Sequence, residues 1–205
     1  MNLPNKITLL RILAVPVFMV FAVPLPEWIA NSSILVSIFP HLPAINNFIL
    51  KFGHYIAAII FIIAASTDGI DGYLARKNKQ ITKFGIFLDP VADKMLVTTA
   101  LIALVLRGSI SGWVAIIIIG RELMVMGLRL VASGEGVVIS ASKLGKAKTM
   151  TQIIGISAAL LQNFPLSIIT DFKFDKFAMI LAVILTIYSG YDYFVKNIKV
   201  IRNDR

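Results

Sequence analysis

Six times along this chain a stretch of roughly 16–23 residues runs with few or no charges, and that pattern dominates everything else. A helix that crosses a bilayer needs about 20 predominantly apolar residues. The stretches are 7–23, 53–74, 84–106, 112–131, 149–164 and 177–195, here called spans one to six. Residues 113–119 alone read as a buried strand, but the apolar window around them is too long for one, so helix is expected. The segment 24–51 holds Pro24, Pro26, Pro40 and Pro43 and is too broken for a clean span, with 34–39 expected at the membrane surface. No internal repeat, low-complexity tract or separate soluble domain is apparent. The expectation is an all-α integral membrane protein, a six-helix bundle forming a single domain over 1–205.

Composition closes off the alternatives. Apolar residues make up 58% and charged ones 15%, with a mean hydropathy of +0.84, which excludes disorder. A net charge of +9 would invite a nucleic-acid reading, yet a soluble basic domain would not carry runs of spanning length. No nucleic-acid partner is expected. Cysteine is absent, and with it disulfides, zinc ribbons and thiol catalysis. Lys6 ahead of an apolar run resembles the start of a signal peptide, but Arg11 interrupts the run and no Ala-x-Ala site follows, so span one is read as retained.

The basic residues orient the bundle. Lys6 and Arg11 lie at the first end; Arg76, Lys77, Lys79 and Lys83 join spans two and three. Lys143, Lys146 and Lys148 lie between four and five, and Lys196, Lys199, Arg202 and Arg205 form the tail. The other connections carry Lys51, Arg107, Lys173 and Lys176, partly offset by Glu27, Asp171 and Asp175. Positive charge collects on the cytoplasmic side, so both termini are expected there, in the cell membrane. The basic excess also favours anionic headgroups.

Acidic residues inside spans are costly, roughly 2.5–3.5 kcal/mol for an Asp at the centre. Asp68 and Asp71 fall near the end of span two, Asp89 and Asp93 in the first half of span three. On ideal helices the first pair is about 4.5 Å apart along the axis, and the second pair shares one face. With a short basic turn between the spans, the helices are expected as antiparallel neighbours whose cytoplasmic ends bring four carboxylates into one cleft. Four like charges at close range do not all stay ionised unless something positive joins them. An all-oxygen donor set suits Mg²⁺ or Mn²⁺, and two such ions form a clamp for phosphoryl chemistry. Spacing alone leaves two other readings open: an ion path in a divalent-cation transporter, or a packing network with Arg76 and Lys94. Gly69, Gly72, Ala75 and Gly85 let a phosphorylated ligand approach the backbone, though close helix packing also explains them.

The acidic string reads Asp68-Gly-Ile-Asp71-Gly72-Tyr-Leu-Ala75-Arg76, eight residues, Gly85, three residues, Asp89, three residues, Asp93. It resembles the signature of the CDP-alcohol phosphatidyltransferases at all of its fixed positions. That resemblance implies six transmembrane helices, a cytoplasmic site with two divalent cations, and a homodimer. It also implies that Asp68, Asp71, Asp89 and Asp93 bind metal, with Asp93 the general base on the acceptor hydroxyl. Asn5, Thr8, Asp68, Gly72, Ala75, Arg76 and Gly85 would take the lipid donor, CDP-diacylglycerol. Further stretches resemble the bacterial members that make phosphatidylglycerol phosphate from glycerol 3-phosphate. These are Asn2-Leu-Pro4-Asn5-Lys-Ile-Thr8-Leu-Leu-Arg11, Leu88-Asp89-Pro90-Val91-Ala-Asp93-Lys94 (Val91 standing where Leu is expected), Gly120-Arg121-Glu122, Leu128-Arg129 and Leu144-Gly145-Lys146-Ala-Lys148-Thr149. Other acceptors on the same machinery, inositol phosphate or phosphatidylglycerol, remain the nearest alternatives.

Span four has a physical reading of its own. A lone Arg121 deep in an apolar helix is expensive. Glu122 and Arg129, seven residues apart, fall on nearly one face and are expected to pair, while Arg121 is turned about 80° from Arg129. With Lys146 and Lys148, the two arginines form a candidate phosphate site for glycerol 3-phosphate, guanidinium forks being suited to it. Snorkelling or internal pairing is the competing explanation for the arginines, and topology alone accounts for the lysines. His41 and His54 lack ligand spacing and read as interfacial or packing residues. Trp28, Trp113, Tyr188, Tyr191 and Tyr193 read as an interface belt, and Asp192 is left outside the site.

Overall fold

In the computed structural model the backbone is described for residues 3–30, 32–77, 83–134, 139 and 143–202, and side chains for 5–30, 32–67, 88, 91–134, 139 and 144–197. The elements are α1 (Leu3–Ala22), α2 (Glu27–Ala30), α3 (Ser33–Ile38), α4 (Leu42–Phe48), α5 (His54–Lys77), α6 (Lys83–Leu106), α7 (Gly112–Gly134), α8 (Lys143–Leu160), α9 (Leu166–Ile169) and α10 (Phe174–Arg202), with one π turn, Ile49–Gly53, between α4 and α5. No strand occurs among the described residues. The protein is an all-α membrane protein. Among the described residues, three helical stretches are long and apolar enough to cross a bilayer: Asn5–Ala22, Leu42–Thr67 and Phe174–Asn197. The helices α6, α7 and α8 reach 24, 23 and 18 residues. Of these, α7 carries Arg121, Glu122 and Arg129, and α8 carries Lys143, Lys146 and Lys148.

The second span begins earlier than the prolines of 24–51 imply. Pro43 sits in the first turn of α4, where a missing N–H costs nothing, and the π turn carries the chain on into α5. Ahead of it the chain makes two short helices; the Ser32 side chain caps α3 by accepting from the Leu35 N–H at 3.5 Å. Ile34, Ile38 and Phe39 lie open. The helix expected as span five ends at Leu160 and not at 164, because Gln162 and Asn163 turn into the left-handed region at φ 53° and 63°. Asn163 and Asp175 exchange two hydrogen bonds, at 2.6 and 2.7 Å, that close this turn onto the start of α10.

The chain divides into two compact units, residues 1–109 and 110–205. In the first, α1 packs along both α5 and α6, more extensively than those two pack on each other. Its buried stripe recurs every three or four residues: Asn5, Thr8, Arg11, Val15, Phe18, Ala22. The stripe is polar at one end and apolar at the other. Facing it are Ala57, Ala58, Phe61 and Ala64 of α5 and Ala92, Leu96, Ala100 and Leu104 of α6; the five alanines allow backbones to approach, and Phe61, Leu96 and Leu104 fill the space between. Gly53 is required at its position, since a Cβ there would overlap the Phe21 carbonyl oxygen.

In the second unit α10 packs on both α7 and α8. The buried stripe of α7 is Ala115, Ile118, Glu122, Val125, Leu128 and Ala132. Gly155 of α8 lies against the backbone of Ala178 and Met179, again a close helix approach.

Candidate functional site

Two polar groups stand out, one in each unit. In the first unit, α1 runs antiparallel to α5 and parallel to α6. The bond from Arg11 Nη2 to Thr67 Oγ1, 3.4 Å, fixes one end, and the bonds from Arg107 to the carbonyls of Phe21 and Ala22 fix the other. Asn5 and Thr8, expected on the lipid donor, are 7% and 1% exposed on α1. They share the end at which α5 carries Asp68 and Asp71 and α6 carries Asp89 and Asp93. Asp68, Asp71, Gly72, Ala75 and Arg76 lie within α5, and Gly85 and Asp89 within α6; their side chains lie outside the described residues. Asp93 is half-buried and, like Asn5, Thr8, Arg11 and Lys94, has an interaction partner.

In the sequence Arg11 reads as a topological charge and as part of the N-terminal stretch that resembles the bacterial members, but not as a site residue. It is 2% exposed and reaches the residue immediately before Asp68, so it adds a cation to the acidic end of the unit. The opposite end is closed by Arg107. Its Nε donates to the Ala22 carbonyl, and its Nη2 to those of Phe21 and Ile49, both at 3.1 Å. Phe21 and Ala22 close α1, where carbonyls lack helical partners and carry the negative end of the helix dipole. Burial draws the Arg107 pKa below its ordinary value, from so high a start that the guanidinium stays charged.

The second unit assembles the other candidate residues. Glu122 occupies a core position of α7, and its Oε1 accepts from Arg121 Nη1 at 3.3 Å and from Lys148 Nζ of α8. Lys148 is 2% exposed, beside the equally buried Gln152. The expected pairing of Glu122 with Arg129 is replaced: Arg129 Nε donates to Tyr193 Oη at 2.9 Å, and the guanidinium lies 5.5 Å from that ring's centre. Seven residues are about 10.5 Å of helix rise, too far for that pair, whereas Lys148 arrives from α8 at the right height. Lys146, two residues earlier on α8, is exposed. Arg121, Arg129 and Lys148 thus belong to one charged group, with Lys146 at its edge.

Tyr193 was misread as a belt aromatic. Tyr188 and Tyr191 do face outward, 58% and 69% exposed, as do Trp28 and Trp113, but Tyr193 is 3% exposed and packs with Val125 and Leu128. Its place on the buried face of α10, four residues after Ser189, was the available signal. His41 is exposed and His54 is buried against Tyr55, with neither imidazole nitrogen of His54 bonded among the described residues. Asp192 pairs with the exposed Lys196 at 2.7 Å, one turn along α10.

A helical membrane protein with an acidic string at one helix-pair end and a partly buried group of cations on α7 and α8 is the class that fold and site define. The sequence profile of the CDP-alcohol phosphatidyltransferases matches residues 1–188, and the chain belongs to that family. It is 46% identical over 200 residues to the CDP-diacylglycerol–glycerol-3-phosphate 3-phosphatidyltransferase of Bacillus subtilis (strain 168), covering 96% of this chain and 95% of the relative. The protein of the same name from Rickettsia bellii (strain RML369-C) is 32% identical, covering 94% and 93%. A probable phosphatidylglycerophosphate synthase of Mycobacterium tuberculosis (strain ATCC 25618 / H37Rv) is 36% identical, covering 97% and 82%.

Proposed function

We propose that this protein transfers the phosphatidyl group of CDP-diacylglycerol to sn-glycerol 3-phosphate, giving phosphatidylglycerol phosphate and CMP. The observation that carries the reading is that Arg121 and Lys148 share one buried carboxylate, Glu122, while Arg129 further along α7 has only the neutral phenol of Tyr193 as its partner. Two cations on one carboxylate, with a third arginine on a neutral partner, leave an excess of positive charge within an apolar helix, where an unpaired cation is costly, which suits a phosphate-bearing acceptor. The names of the relatives point to the same pair of substrates.

Asp68, Asp71, Asp89 and Asp93 would hold two divalent cations, Mg²⁺ or Mn²⁺. The donor chemistry fits: four carboxylates in helical register on α5 and α6, which pack together, form a hard all-oxygen set. When bound, such ions neutralise the diphosphate and the departing CMP. Arg11, Asn5 and Thr8 line the same end of the unit and would orient the donor, together with Gly72, Ala75, Arg76 and Gly85. Asp93 takes the proton of the acceptor hydroxyl as its oxygen bonds to the phosphorus that carries diacylglycerol. The bond from that phosphorus to the CMP oxygen breaks, and CMP leaves.

The same reading has six spans, a homodimer, and termini and active site on the cytoplasmic side. The test is CMP release by detergent-purified protein given CDP-diacylglycerol and a panel of acceptors. Release should require added metal and glycerol 3-phosphate. Preference for inositol phosphate or phosphatidylglycerol would move the acceptor assignment, and no release with any acceptor would favour a cation transporter.

A further inference from the structure

One face of α10 carries polar and small residues where lipid burial alone would favour bulky apolar ones. Thr186, Ser189, Gly190 and Tyr193 recur at three- and four-residue steps and so share a side of the helix. Thr186 and Ser189 are fully buried, and their hydroxyls donate to the carbonyls of Ala182 and Thr186 on their own helix. The other two meet arginines of α7. A Cβ at Gly190 would stand 3.1 Å from Arg121 Cγ and 3.8 Å from its Nε. Tyr193 accepts from Arg129 Nε at 2.9 Å. These two positions are one turn apart, about 4.5 Å along the axis, so a single turn of α10 braces both guanidinium groups.

We propose that Gly190 and Tyr193 are positioning residues for the phosphate of the acceptor, acting through Arg121 and Arg129. The inference rests on the reading that these cations take that phosphate. With Nε of Arg129 held by the phenol, the Nη1–Nη2 edge is the one turned to an anion. With Nη1 of Arg121 on Glu122, and its Nε unbonded among the described residues, the Nε–Nη2 edge remains. Among the described residues each arginine therefore keeps one edge without a partner, that of Arg121 with its Nε buried. A planar guanidinium binds a phosphate through two parallel bonds only if its plane is fixed, and α10 fixes it. A larger residue at 190 would displace the Arg121 stem.

Tyr193→Phe removes one oxygen and keeps the ring in its packing. It should raise the KM for glycerol 3-phosphate about tenfold, and leave the KM for CDP-diacylglycerol and the melting temperature nearly unchanged. In an Arg129→Ala background the same change should add nothing, because the partner it orients is gone. Gly190→Ala should likewise raise the acceptor KM in the parent protein but not in Arg121→Ala, where no Cγ remains to be displaced. A loss falling equally on both substrates makes Tyr193 a packing residue and overturns the proposal. So does an unchanged acceptor KM in Tyr193→Phe while Arg129→Ala raises it. If Arg121→Ala and Arg129→Ala also leave that KM unchanged, the reading of the acceptor site itself fails, and that outcome is separable from the first two.

Discussion

Arg107 and Arg121 are both arginines half-buried in apolar helical surroundings, and their partners differ in kind. Arg107 gives its donors to three backbone carbonyls, two closing α1 and one in the π turn. Those acceptors are neutral and have nowhere else to turn, because the ends of helices leave carbonyls without partners. Arg121 gives Nη1 to a carboxylate that Lys148 also claims, and its Nε stays unbonded among the described residues. In the first case Nε and Nη2 are both used to join elements of one unit. In the second, donors and charge are left over. A buried cation reads as structural when backbone satisfies its donors, and as a ligand site when it shares too few anions with other cations.

If that distinction holds, variants in the two units should fail in different ways. The largest effect belongs to the acidic end of the first unit. Asp71→Ala should bring metal-dependent CMP release to background in protein that still inserts and elutes as the parent does; near-normal release would remove Asp71 from the metal site. Asp93→Asn keeps the size and one oxygen but cannot take a proton. Its kcat should drop by about 10²–10⁴-fold with CDP-diacylglycerol binding retained. Collapse of donor or metal binding along with activity would make Asp93 chiefly a ligand, leaving the base to another group.

How much of this was readable beforehand varied with the residue. The four aspartates stand out in the sequence because their spacing forms a long fixed string, and the two arginines because charge in a span is rare, whereas Asn5 and Thr8 enter only through the family resemblance. The second span starts earlier than the sequence implies, since Pro43 reads as a breaker but occupies the first turn of a helix. Partner choice was not readable. Glu122 lies on a stripe with Ala115, Ile118 and Val125, so its burial was implied by period, but which cation reaches it depends on the height at which α8 passes α7. Tyr193 was hidden by its own type: an aromatic near the end of a span fits a belt equally well until its face is known. Arg107 was counted only as a charge on the less basic side, and carbonyls left at the end of α1 are not visible in composition.

The cationic group predicts a smaller and more selective loss than the aspartates do. Arg121→Ala removes one charge-assisted fork, a contribution of about 1.5–3 kcal/mol, which corresponds to about 10–100-fold in the KM for glycerol 3-phosphate. The KM for CDP-diacylglycerol should move far less. Titrating each substrate at saturation of the other measures both, and an equal shift in the two would place Arg121 outside an acceptor pocket.

The smallest effect on catalysis should come from Arg107, and it is the one that separates the two arginines most cleanly. Removing its side chain leaves the carbonyls of Phe21, Ala22 and Ile49 without those donors at a helix end that Gly53 holds tightly against α5. An unsatisfied buried acceptor costs about 1–3 kcal/mol, so Arg107→Ala should lower the melting temperature in detergent by several degrees. Arg107→Lys should recover only part of that loss. A lysine brings a charge that favours the helix end but no planar fork to span three acceptors. In both variants the KM for each substrate, measured well below the melting temperature, should stay within about twofold of the parent, a shift of less than about 0.5 kcal/mol. A rise in acceptor KM for Arg107→Ala comparable to that of Arg121→Ala would break the comparison. It would mean that carbonyl-satisfied and anion-poor arginines serve the same site, and that satisfied donors are no guide to a structural role here.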